Sequence, residues 1–105
     1  MSLDSPISSI VDNAARITGI PVAEITGETR HRSAARARYA VIWAARAAHG
    51  AMGKRIGRAL GNRDRSTIET GHCRAEALRH SSSEFLKLSD RLLELANQAV
   101  AKPHD

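Results

Sequence analysis

The stretch Arg58-Ala59-Leu60-Gly61-Asn62-Arg63-Asp64-Arg65-Ser66-Thr67-Ile68-Glu69 decides the fold. It reads as the end of one short helix, a glycine corner and the start of a second helix. Gly61 tolerates the left-handed backbone that stops a helix, and Asn62 is among the residues that best accept positive φ. Asp64 or Ser66 then caps the second helix, and Ser66 with Glu69 three residues on has the spacing of a capping box. That helix therefore opens on a polar tip of Arg63, Asp64, Arg65, Ser66 and Thr67. Helix-turn-helix readers of DNA present such a tip to base edges in the major groove.

Working outward, the rest of the chain is helical in pattern. Ser5-Pro6 starts a helix with a capping hydroxyl and a first-turn proline, and Ile7, Ile10, Val11, Ala14 and Ile17 give it one apolar face. Gly19 and Pro21 end it, and Pro21 to Ile25 forms a single short turn closed by Gly27. Glu28 to Ser33 is charged and aperiodic, which reads as a loop. Ala34 to His49 is a long helix with Ala35, Tyr39, Ile42, Trp43 and Ala47 facing inward, stopped at Gly50. Met52 to Leu60 is a short helix burying Ile56 and Leu60. The helix after the corner spans about Arg65 to His80 and buries Ile68, Cys73 or Ala75, and Leu78. Ser81 and Glu84 form another capping box, and Phe85, Leu88, Leu92, Leu95 and Ala99 make a seam on a last helix from about Ser82 to Val100. The expectation is an all-α bundle of six helices containing a helix-turn-helix, one domain over residues 1–105 with its core at about 5–100.

Composition narrows the function. With 42% hydrophobic residues but one Trp, one Tyr and one Phe, the core is built from Ala, Ile, Leu and Val. Lone Cys73 rules out a disulfide framework within the chain. No apolar run approaches the roughly 18 residues of a membrane span, so no membrane partner is expected and the cytoplasm is. Between Glu28 and Arg65 ten basic residues face only Glu28 and Asp64, a surplus of eight, whereas the remainder of the chain is net acidic. A polyanion bound on one side of the molecule accounts for that asymmetry; a merely solvated basic face is the plainer reading.

Gly61-Asn62-Arg63-Asp64-Arg65-Ser66-Thr67-Ile68 resembles the signature Gly-Gly-Arg-Asp-His-Thr-Thr-Val of the C-terminal DNA-binding domain of the bacterial replication initiator DnaA. Ile56-Gly57 and Leu60 sit where that family has Ile-Gly and an apolar residue, and Arg30 to Arg38 resembles its Arg-x-Arg-x-x-Ala-Arg-x-Arg stretch. The likeness runs over about residues 7 to 97 without a gap. It implies insertion of the helix beginning at Asp64 into the major groove of a short asymmetric site, the DnaA box. By that likeness Asp64, Arg65, Ser66 and Thr67 meet base edges and Arg36 enters the neighbouring minor groove. Arg30, Arg32, Arg38, Lys54 and Arg63 are then the phosphate contacts. Arginine forks suit phosphate and guanine edges, and a narrow minor groove attracts arginine. Double-stranded DNA is the implied partner, with replication initiator proteins as a further one, at the bacterial nucleoid.

The departures from the family pattern are informative. Arg65 stands at the family's histidine and Ser66 at a threonine, which shifts the expected site toward guanine under Arg65. Met52-Gly53 replaces Ser-Leu, which removes a cap and places a glycine where the short helix starts; Ala37 replaces a frequent proline. The initiator's ATPase module is not in this chain. Gly50-Ala51-Met52-Gly53-Lys54-Arg55 lacks the spacing, the hydroxyl after Lys54 and the preceding strand of a phosphate loop.

Other chemistry is poorly supported. A capping serine is commoner than a nucleophile, and no base or oxyanion site accompanies Ser66. His31, His49, His72, His80 and His104 lack paired metal spacing. No enzymatic activity, cofactor or metal is expected. Two functions remain: site-specific double-stranded DNA binding as a regulator of replication or transcription, or a protein-protein interaction module that keeps the fold and has lost site recognition.

Overall fold

The computed structural model describes residues 5–28 and 31–101, and every regular element among them is an α-helix. There are six in order: α1 (Ser5–Thr18), α2 (Val22–Thr26), α3 (Arg32–His49), α4 (Gly53–Ala59), α5 (Arg65–Ser81) and α6 (Ser83–Ala101). The expected all-α architecture is therefore present, with α4 and α5 as the helix-turn-helix. Arg30, His104 and the Ser5 side chain lie outside the described residues.

Helix α3 is the hub, packing against α1, α2, α5 and α6. It manages four neighbours because its buried positions are mostly small: Ala34, Ala37, Ala40, Ala44 and Ala45 are at most 1% exposed. Alanine loses no side-chain entropy in a helix and lets neighbouring backbones come close. The inward set expected from the sequence is corrected in part, since Tyr39 and Trp43 do pack against the core. Ile42 is buried, but Ala35, Tyr39 and Trp43 are only half-buried and Ala47 is exposed. Rings too wide for the alanine interfaces sit along their edges. Trp43 donates its indole N–H to Glu76 of α5 at 3.1 Å, and Arg79 stacks over its ring at 3.8 Å. Arg79 also reaches α6, donating to the buried Ser89 hydroxyl at 2.6 Å and to Asp90 at 2.7 Å.

Several boundaries also shift. Helix α3 starts at Arg32, inside the stretch read as a loop. The Ser82 hydroxyl, not Ser81, accepts from Phe85 N at 3.1 Å and opens α6. Ile17 is 45% exposed because α1 turns its core face, Ile7 to Ala14, away from it. Of the two candidates on α5, Ala75 is buried and Cys73 exposed. The α6 seam buries Phe85 and Leu92, while Ala96 takes the buried place expected of Ala99.

The corner between α4 and α5 forms as expected, with Gly61 at φ 82° and Asn62 at φ 63°. Sterics there are tighter than the dihedrals alone require. A Cβ on Gly61 would overlap the Thr26 carbonyl oxygen, and one on Gly57 the Arg63 carbonyl oxygen. The corner is pressed against the end of α2.

Two arginines hold that contact, both of them among the phosphate contacts expected from the resemblance. Arg38 is 9% exposed. Its Nε donates to Ile25 O at 2.7 Å and its Nη2 to Glu24 O at 3.1 Å. Arg63 donates from Nη1 to Thr26 O at 3.1 Å and to Leu60 O, and from Nη2 to Gly27 O. A five-residue helix cannot stand alone and leaves its last carbonyls without helical partners. Two guanidiniums supply those donors and oppose the negative end of the helix. Both guanidiniums are thus engaged within the protein. Burial, and then the neighbouring Arg63 charge, pull Arg38 below its ordinary pKa. Charged hydrogen bonds outweigh that cost, each worth about 1.5–3 kcal/mol.

Accordingly, Arg38→Ala is expected to destabilise the domain by about 2–3 kcal/mol, and Arg38→Lys not to rescue it, because an ammonium cannot span two carbonyls as a fork does. Gly61→Ala is expected to cost at least about 1 kcal/mol. Urea denaturation measures all three; an Arg38→Lys variant as stable as the parent would contradict the strut role.

Candidate nucleic-acid interface

Helix α5 begins at a built cap. Asp64 is the N-cap residue, and its Oδ1 accepts from Thr67 N at 2.9 Å and from the Ser66 hydroxyl at 3.1 Å. Of the two cap candidates in the sequence, Asp64 is therefore the one used, and the Ser66–Glu69 box does not form. Glu69 instead receives both ends of the Arg46 guanidinium, at 3.0 and 2.6 Å. The backbone N–H of Thr67, with the two hydroxyls, holds the Asp64 carboxyl below its ordinary 3.8. The Arg46 hydrogen bond lowers Glu69 likewise.

These bonds sort the charges on α5. Its acidic side chains lie on one flank, Glu69 on Arg46 and Glu76 on Trp43 with His72 at 3.8 Å. Arg65, Ser66, Thr67, Thr70, Cys73, Arg74 and Ala77 are exposed. Gly53 opens α4 at its first position, so it does not carry the penalty of a mid-helix glycine. A Cβ there would press on the Arg65 Cγ at 3.1 Å and Glu69 Oε2 at 3.2 Å. The unusual Met52-Gly53 pair thus lets α4 lie close on the base of Arg65.

Two grooves run between α5 and α3, the first of them beside the tip. The first, about 280 Å³, is lined by Arg38, Tyr39, Arg63, Ser66, Thr67 and Thr70 among others. The second, about 350 Å³, is lined by Arg32, Ala35, Arg36, Ala77 and Leu78. Tyr39 and Arg74 border both. The early start of α3 explains the second groove, since Arg32 and Arg36 are one helical turn apart on one face.

The residues singled out in the sequence therefore divide. Asp64, Arg65, Ser66 and Thr67 stand exposed at the start of α5. Arg32 is exposed and Arg36 half-buried on the wall of the second groove. Lys54 is exposed on α4, one turn from the exposed Arg58. Arg38 and Arg63 are the struts described above. Thr70 and Arg74 were missed by the sequence reading; their three- and four-residue steps from Thr67 are the signal that places them on its face. Among the described residues no three His, Cys, Asp or Glu side chains gather as a metal site, and no helix is long and apolar enough to cross a membrane.

A family model described as bacterial dnaA protein helix-turn-helix matches residues 7–74, well over half of the chain. The match ends within α5, short of the likeness read from the sequence to about residue 97. No curated protein matches the chain.

Because the folded pKa of Asp64 is depressed, its contribution is present above the ordinary value and lost as pH falls through the folded one. The stability gap between the parent and Asp64→Ala is expected to be open at neutral pH and to close in acid. Denaturant midpoints at the two pH values measure it, and a gap that is the same at both would contradict the charged cap.

Proposed function

The chain belongs to the bacterial dnaA protein helix-turn-helix family, a family of DNA-binding domains, and on that premise we propose that it binds double-stranded DNA at DnaA-box-like sites. The observation that carries this is the division of charge on α5. Glu69 and Glu76 are tied down by Arg46 and Trp43, Arg65 stands exposed at the tip, Ser66 and Thr67 line one groove, Arg32 and Arg36 line the next, and Arg74 borders both. In this reading the first turns of α5 enter the major groove. Arg65 forks onto guanine O6 and N7, and the Asp64 oxygen not used by the cap accepts from a cytosine amino group. Threonine methyls of Thr67 and Thr70 pack on thymine. Arg36 enters the adjoining minor groove, where negative potential is concentrated. Arg32 and Lys54 hold phosphates. The domain then acts as a regulator of replication or transcription at the nucleoid in the cytoplasm, occupying sites that initiator proteins also use.

Selection from random duplex DNA tests the proposal. The expected result is an enriched site related to the DnaA box with guanine at the position under Arg65, and Arg65→Ala flattens preference at that position. With Arg38 and Arg63 engaged inside the protein, about three phosphate contacts remain, so log affinity should fall with log salt at a slope of about −3. Failure of any sequence to enrich, with weak binding to all duplexes alike, would favour the protein-interaction reading instead.

A further inference from the structure

The arginines of this domain fall into two populations. The first is engaged internally: Arg16 on Asn13, Arg46 on Glu69, Arg79 on Asp90 and Arg91 on Glu94 away from the two grooves, and the struts Arg38 and Arg63 at the first groove. Among the described residues, the side chains of Arg32, Arg36 and Arg74 on the walls of the second groove make no hydrogen bond or ion pair. Arg74 is exposed on the third turn of α5, and with Tyr39 it borders both grooves. The two residues form a sill between the α5 tip on one side and Arg32 and Arg36 on the other. Helix α5 comes down close to α3 there because residue 71 is glycine: a Cβ would meet Ile42 Cδ1 at 2.7 Å and Tyr39 Cδ1 at 3.4 Å.

Adjacent major and minor grooves of a duplex are separated by one sugar-phosphate strand. If α5 occupies the major groove and Arg36 the neighbouring minor groove, that strand must cross the sill. We infer that Arg74, which shares both grooves with Tyr39, is a phosphate seat for the strand dividing the two grooves, and so couples major-groove reading by α5 to minor-groove reading by Arg36. The inference rests on the DNA-binding reading above and goes beyond it by naming the contact that keeps the two readings in register. A guanidinium suits the task because it grips a phosphate by two parallel N–H bonds. The nearest carboxylates of α5, Glu69 and Glu76, are held on the opposite flank and do not compete.

The test uses the full chain and Arg74→Gln, with circular dichroism to confirm the fold; the side chain has no internal partner to lose. The probes are the duplex recovered by selection, a scrambled duplex, and versions of the first carrying a neutral methylphosphonate at one backbone position at a time. Expected is a loss of about tenfold on both duplexes, with a salt slope shallower by about 0.9. Arg74→Lys should recover part of the affinity and all of the slope. One methylphosphonate position between the two grooves should weaken the parent and leave Arg74→Gln unaffected. Arg91→Gln, removing an arginine paired on α6, should leave the slope unchanged. If the parent binds selectively and Arg74→Gln matches it in affinity and slope, the seat is disproved while the DNA reading stands. A loss confined to the selected duplex, with the slope intact, would make Arg74 a base reader and also overturn the seat. If the parent itself binds no duplex, the DNA reading fails and the seat with it.

Discussion

The end of α2 is where this structure is held together. Four consecutive carbonyls, from Glu24 to Gly27, receive the guanidiniums of Arg38 from α3 and Arg63 from the corner before α5. Each arginine ties one wall of the candidate interface to the same short helix. Arg38 secures the helix that carries Arg32 and Arg36, and Arg63 secures the corner from which Asp64, Arg65 and Thr67 project. Neither bond touches DNA in the proposed mode. Together they set the spacing between the groups that would, and a direct reading of charge along the chain counts both as free cations.

The same economy governs the surface. A domain carrying 16 Lys and Arg against 11 Asp and Glu gains little from surface ion pairs, each worth about 0–1 kcal/mol. What the pairs do here is decide where charge remains available. Arg46 removes Glu69 from the front of α5, while Trp43 and His72 hold Glu76 to the side. Arg79 links α3, α5 and α6 through ring, hydroxyl and carboxylate at once. The consequence is a face on which positive charge and hydroxyls meet solvent with the α5 carboxylates drawn away, an arrangement suited to steering toward a polyanion.

Packing is governed by side-chain size. The alanine-rich α3 meets four helices because its buried positions demand so little room, while Tyr39 and Trp43 sit where the interfaces open to solvent. Close approach recurs at the corner, where Gly57 and Gly61 leave space for backbone carbonyls, and at Gly71, where α5 settles onto Ile42 and Tyr39. These contacts bring the two grooves within one molecular face.

Local signals in the sequence were sufficient for the helices, the corner and the exposed tip. Capping chemistry, glycine and asparagine at positive φ, and apolar spacing act within a few residues, so Gly61, the α4–α5 pair and a cap at Asp64 or Ser66 were legible before any contact was known. Which arginine is a strut and which is free was not legible. Arg38 and Arg32 look alike in a basic stretch, and only the arrival of α2's carbonyls 13 and 14 residues upstream buries one and leaves the other in water. The buried phase of α3 was hidden for a similar reason: a helix with four neighbours has no single apolar face to read. Arg74 and Tyr39 acquired their shared position only when α5 closed on α3. Short-range backbone chemistry wrote the elements; long-range burial and hydrogen bonding decided which charges were left to meet a partner.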